Sequence, residues 1–190
     1  WPERLLPQHF TAPSSNRAHE WPTPVAIAVG TWPTPGMTVA ADPAEFRMTR
    51  TYRLLVRGKN VNQETLLCTD YLNHFNEIVM LIEMVGSMPE CMEDVRAWRP
   101  KSYEQHFHDS NFADRDLAIL AYDNAPPQHR APFDRTIDRL NVTVDAAIRD
   151  LDAAIAGGAA DRIETVAQHA AARLHALIDI AGGIINGHQA

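Results

Sequence analysis

Apolar residues recur at helical spacing in three long stretches of the chain. From Thr65 to Val85, the positions Leu67, Tyr71, His74, Ile78, Leu81 and Val85 alternate by steps of four and three, which keeps them on one helical face. Phe133, Ile137, Leu140, Val144, Ile148, Leu151 and Ile155 repeat the pattern, and Gly157-Gly158 ends it. Ile163, Ala167, Ala170, Leu174, Leu177, Ala181 and Ile184 form a third stripe, rich in alanine and opened by Asp161 as a cap. Shorter helical signals lie between the first two stripes. A turn is expected at Glu90–Trp98. The pattern Ser-Tyr-Glu-Gln at Ser102–Gln105 has capping-box spacing and opens a helix through His106 and His108. A further helix is expected from Ala113 to Asn124, capped by Ser110 or Asn111 and ended by Pro126-Pro127.

The first sixty residues follow different rules. Proline is frequent up to residue 45, and Trp-Pro occurs at Trp1, Trp21 and Trp32, the last two within an identical Trp-Pro-Thr-Pro. Proline fixes its own φ and holds its predecessor extended, so this segment reads as an arm. Pro24–Gly30 fits a short strand. Phe46–Val56 alternates with period two, with Phe46, Met48, Tyr52, Leu54 and Val56 on one side and only Arg50 out of place, which predicts a second strand over 46–57. The expected architecture is mainly α: an antiparallel four-helix bundle over 61–190, preceded by a Pro-rich extended arm over 1–60 with one or two short strands.

Charge sharpens this division. Residues 1–60 carry seven Lys or Arg against four Asp or Glu, and residues 61–190 carry ten against twenty. A basic arm and an acidic body suit self-association or an acidic protein partner. Nucleic acid is disfavoured, because the body would repel phosphate. No apolar run approaches the roughly 18–20 residues a membrane span requires. The two cysteines, Cys68 and Cys91, read as reduced thiols, which fits a cytoplasmic protein. The excess of arginine over lysine and the abundance of alanine fit GC-rich bacterial coding.

Candidate chemistry centres on His74. Asp70 and Glu77 stand four before and three after it, so two carboxylates flank an imidazole beside a stripe that should be buried. Such a set can ligate zinc, iron or manganese, or carry out acid–base work, if a histidine from another segment joins it. His106 and His169 are the candidates. The alternative is a core histidine hydrogen-bonded to Asp70. His-x-x-Glu occurs once and Glu-x-x-His not at all, and phosphate-loop, dinucleotide, zinc-protease and serine-hydrolase motifs are absent. Asp134, Asp138, Asp145 and Asp152 read as one solvated helix face. The favoured function is therefore a non-enzymatic helical-bundle protein acting through binding or assembly, with Trp21, Trp32, Arg47 and Arg53 as binding residues of the arm. The alternative is a metal-dependent or acid–base enzyme built on Asp70, His74 and Glu77, with a divalent transition metal as its only implied cofactor.

Overall fold

The computed structural model describes residues 43–188, and the protein is mainly helical over that range. The compact unit to which they belong runs from Ala40 to Ala190. Seven α-helices occur among the described residues: α1 (Pro43–Leu55), α2 (Asn73–Ser87), α3 (Met92–Ala97), α4 (Tyr103–Asp109), α5 (Arg115–Asp123), α6 (Pro127–Gly157) and α7 (Ala160–Ile185). Single 3₁₀ turns precede α2 at Thr69–Leu72 and α3 at Pro89–Cys91. The strand expected between Pro24 and Gly30 lies outside the described residues.

The strand expected over 46–57 is a helix instead. Its alternation is real, but no neighbouring strand is present among the described residues to take its backbone groups. A helix satisfies those groups within the segment. The inward positions here are four apart: Tyr52 on α1 is half-buried, Val56 just past its end is fully buried, and the Val56 N–H donates to the Tyr52 carbonyl at 3.0 Å. Leu54 and Leu55 point outward, 66% and 54% exposed.

The helix expected from Thr65 begins only at Asn73. Asn62 closes a turn before it: its side-chain oxygen accepts the N–H groups of Glu64 at 2.8 Å and Thr65 at 3.1 Å. Leu66 then adopts a left-handed backbone at φ +60°, which a continuing helix does not allow. The Thr65 hydroxyl ties this turn to the far end of the molecule by donating to the Ile185 carbonyl at 2.7 Å, satisfying one of the orphan acceptors at the end of α7. Leu66, Leu67 and Cys68 are completely buried in this irregular stretch.

Three long helices carry the core, as their stripes predict. α6 and α7 form a hairpin, turned by Gly158 in a left-handed conformation at φ +71° with its N–H donating to the Ile155 carbonyl. α6 begins six residues before its apolar stripe, with Pro127 at its first turn, where a missing N–H costs nothing. Asp161 lies in the first turn of α7, whose N-cap is Ala159 and receives no side-chain cap. α2 runs antiparallel to α7. Leu72 meets Gly182 at one end, and a β-carbon on Gly86 would lie 3.5 Å from the Glu164 backbone at the other. Ala167, Ala170, Ala171 and Ala181 are buried, and such small residues let neighbouring helices approach closely.

The short helices close one end of this frame. The capping box at α4 is present in full: the Ser102 hydroxyl accepts the Gln105 N–H at 3.1 Å, and the Gln105 side chain accepts the Ser102 N–H at 3.0 Å. Such a cap is worth about 1 kcal/mol. It fixes where α4 starts, and therefore where Tyr103 and Phe107 enter the core. α5 starts at Arg115 with Asp114 as N-cap, so neither Ser110 nor Asn111 caps it; Ser110 instead ends α4.

Candidate functional site

Aromatic rings from five segments converge where α4 and α5 meet the N-terminal ends of α2 and α6. Tyr71 is the hub. Its ring lies 5.1 Å from Tyr103, 5.5 Å from His106, 5.8 Å from Phe75 and 6.0 Å from Phe133. Tyr103 stacks on Tyr122 at 4.2 Å with the planes 11° apart. Ring pairs in such geometries contribute about 0.5–1.5 kcal/mol beyond the area they bury. Two of the phenols are internally satisfied as donors. The Tyr71 hydroxyl donates to the Lys101 carbonyl at 2.7 Å, and the Tyr122 hydroxyl donates to Asp134 at 2.8 Å. The Tyr103 hydroxyl accepts the Cys68 N–H at 2.9 Å. Burial, followed by hydrogen bonding to Asp134, pushes the Tyr122 phenol up to about 12, and burial raises Tyr71 and Tyr103 as well.

His74 belongs to this cluster. It is buried at 5% exposure, and its ring stacks on Trp98 at 4.6 Å. Its Nε2 accepts the Lys101 N–H at 3.2 Å, which assigns the proton of the neutral ring to Nδ1. The partner is thus a backbone amide 27 residues away rather than Asp70. Burial above all, then the neighbouring His106 and Lys101, lowers His74 to about 4, so it is uncharged at neutral pH. His106 lies 6.1 Å from His74 ring to ring and is shifted down in turn by burial and by Lys101, with Asp70 and Asp109 opposing.

The structure brings together only part of the predicted metal set. Asp70 sits on the 3₁₀ turn, where it accepts from the Asn60 side chain and from the Cys68 thiol at 3.3 Å. Glu77 is exposed on α2, and His169 is exposed in a groove between α6 and α7 beside Thr143, Asp150 and Arg173. His74 and His106 are neighbours, with the Asp70 backbone and carboxylate acting on His106. Among the described residues no three His, Cys, Asp or Glu side chains are grouped to hold one ion. Cys68 is a free thiol that burial pushes up to about 12, the reverse of an activated nucleophile.

Of the predicted binding residues, Trp21 and Trp32 lie outside the described residues, as does the Arg47 side chain. Arg53 is exposed and donates to the Glu64 carbonyl at 3.2 Å, pinning the end of α1 to the turn after it.

The sequence pattern did not single out the cleft beside the aromatic hub. It has a volume of about 330 Å³, with Tyr71, Tyr103, Tyr122 and Phe133 as apolar walls and Asp134, Asp138 and Asn141 along α6. The last three stand at offsets of four and three, on one stripe of the helix. That spacing was the available signal. The Asn141 side-chain oxygen is sheltered from solvent without a hydrogen-bond partner, as is the Trp98 indole nitrogen. A buried polar atom left unpaired costs about 1–3 kcal/mol. No protein-family model, curated protein or solved structure matches the chain.

Proposed function

We propose that the chain is a non-enzymatic helical protein that acts by binding, assembling through its N-terminal arm with a second copy or another protein. The four-helix-bundle architecture belongs to this reading, with the α4–α5 pair standing in for the fourth helix beside α2, α6 and α7. One observation carries the proposal. α1 follows the Trp-Pro segment directly and leaves two adjacent leucines, Leu54 and Leu55, more than half exposed. Apolar surface of this kind, continuous in the chain with tryptophans, is what an interface would cover. The imbalance between the basic first sixty residues and the acidic remainder supports pairing between copies.

A second reading, an acid–base or metal-dependent enzyme around Asp70, His74 and Glu77, has one observation on its side, the proximity of His74 and His106. Against it stand the engaged Nε2 of His74 and the exposed position of Glu77.

Sedimentation velocity over a range of concentrations tests the assembly. The full chain is expected to sediment as a dimer or larger species. Trp21→Ala/Trp32→Ala and Leu54→Glu/Leu55→Glu variants should sediment as monomers with unchanged helical content. A wild-type chain that stays monomeric throughout, or variants that assemble as it does, would contradict assembly between copies of the chain.

A further inference from the structure

The ten lysines and arginines from residue 61 onward divide into two groups. Arg96, Lys101, Arg115 and Arg130 each reach a carboxylate, and Arg99 donates to the Arg96 and Trp98 carbonyls. The other five are Arg135, Arg139, Arg149, Arg162 and Arg173. All are exposed, and none has a side-chain hydrogen bond or ion pair among the described residues. All five stand on the α6–α7 hairpin.

They also share one side of it. On α6, Arg135, Arg139, Val142, Ala146, Arg149 and Ala153 follow by steps of four and three, a single line along the helix. On α7, Arg162, Val166, His169 and Arg173 do the same, and Ile180 continues the line seven residues on. The two lines border one trough. Ala153 from the first and Arg162, His169 and Arg173 from the second line a groove of about 260 Å³ between the helices. Further along the hairpin, Arg135 lines a second hollow with Ile184 and His188. Ala147, Val166 and Ala170 give the groove small apolar residues, and Asp150 is the one carboxylate among the described residues lining either hollow. Val142 and Ile180 are 66% and 41% exposed on the arginine lines themselves.

We propose that this trough docks an acidic amphipathic helix of a protein partner, whose carboxylates meet the two arginine lines while its apolar stripe covers Val142, Val166 and Ile180. Helix-in-groove recognition needs an apolar strip, and charges beside it set partner and register. Each line spans eighteen residues, about 27 Å, which matches a partner helix of about five turns. Charge speaks against the chain's own first sixty residues as the occupant, because they are net basic. The exposed apolar side chains, Asp150 in the groove, and Asp138 and Asp145 on the neighbouring face of α6 all disfavour a phosphate backbone. The surface includes neither the arm nor α1, so the proposal stands whether or not the chain assembles through them.

The test is fluorescence anisotropy of the full chain with a labelled peptide of about 21 residues, three Glu-Leu-Ala-Glu-Leu-Ala-Glu heptads. A peptide of the same composition with its leucines scattered round the helix, and a single-stranded oligothymidylate, serve as comparisons. The heptad peptide should bind saturably, and more weakly as salt is raised. Arg173→Glu should weaken it about tenfold or more, whereas Arg115→Glu, which changes net charge equally but lies off the trough, should not. Asp150→Asn removes the carboxylate in the groove and should tighten binding. These side chains are exposed, so helical content should hold in every variant. No saturation below about 1 mM, equal binding of the scattered peptide, tighter binding of the oligothymidylate, or equal losses in Arg173→Glu and Arg115→Glu would each overturn the proposal.

Discussion

Replacing Phe133 by alanine is expected to cost about 3–5 kcal/mol of stability. Phe133 is 1% exposed and faces three tyrosines, Tyr71, Tyr103 and Tyr122, with ring centroids 6.0, 6.2 and 6.5 Å away. Those rings come from the 3₁₀ turn, α4 and α5, so one side chain on α6 docks three other segments. Removing it opens a cavity that the surrounding rings can fill only by leaving their hydrogen bonds to Lys101 and Asp134. Against a total stability of about 5–15 kcal/mol, the loss would be a large share. Denaturant unfolding measures it directly, and Phe133→Leu, which keeps more of the volume, should lose much less. A loss below about 1 kcal/mol for the alanine variant would mean that α4 and α5 are held by something other than this cluster.

The second large effect is in acid. His74 is lowered from 6.5 to about 4 in the folded state and returns to its ordinary value on unfolding. Between those values the unfolded chain binds more protons than the folded one, so stability rises with pH across that window and falls as the solution is acidified. The contribution is fully present above about pH 6.5 and lost as pH drops to about 4, by about 3 kcal/mol. His106, Lys101 and the Arg99 backbone act on the imidazole, and only the Arg99 backbone favours its charged form. His106 is shifted in the same direction and steepens the slope. Denaturant midpoints from pH 7 to pH 4 should therefore fall, and His74→Leu should flatten the fall while lowering stability at pH 7, where the Lys101 N–H loses its acceptor. A wild-type profile that is flat across this window would contradict the burial of a neutral imidazole.

Much of this architecture is local and was therefore legible in the residues. Ser102 and Gln105 marked the start of α4, Gly157-Gly158 the turn of the hairpin, and the Ile163–Ile184 stripe the buried face of α7. Such signals need only a few neighbouring residues. The misread segments are those where a longer-range condition decides. Period two at Phe46–Val56 needs a partner strand before it means a sheet, and α1 has none among the described residues. Leu67 and Tyr71 both turn inward, as a helical stripe would, but the Asn62 turn and the left-handed Leu66 bring them there by another route.

The site shows the same division. That His74 points inward followed from its spacing. That its acceptor nitrogen takes the Lys101 N–H followed from nothing near it in the chain. Asp134 and Asp138 read as solvated because α6 alone would leave them so. The rings that turn that face into a cleft arrive on the 3₁₀ turn, α4 and α5.

Whether the core is chemically quiet rests most directly on the imidazole of His74. Nuclear magnetic resonance of its ring nitrogens, followed as pH is lowered with and without added zinc, reads both its proton and its partners. The expected result is a neutral ring protonated at Nδ1, titrating near 4 and unmoved by zinc. Titration near the ordinary 6.5, or a ring nitrogen shifted by stoichiometric zinc, would contradict it and return Asp70, His74 and His106 to the role of a reactive centre.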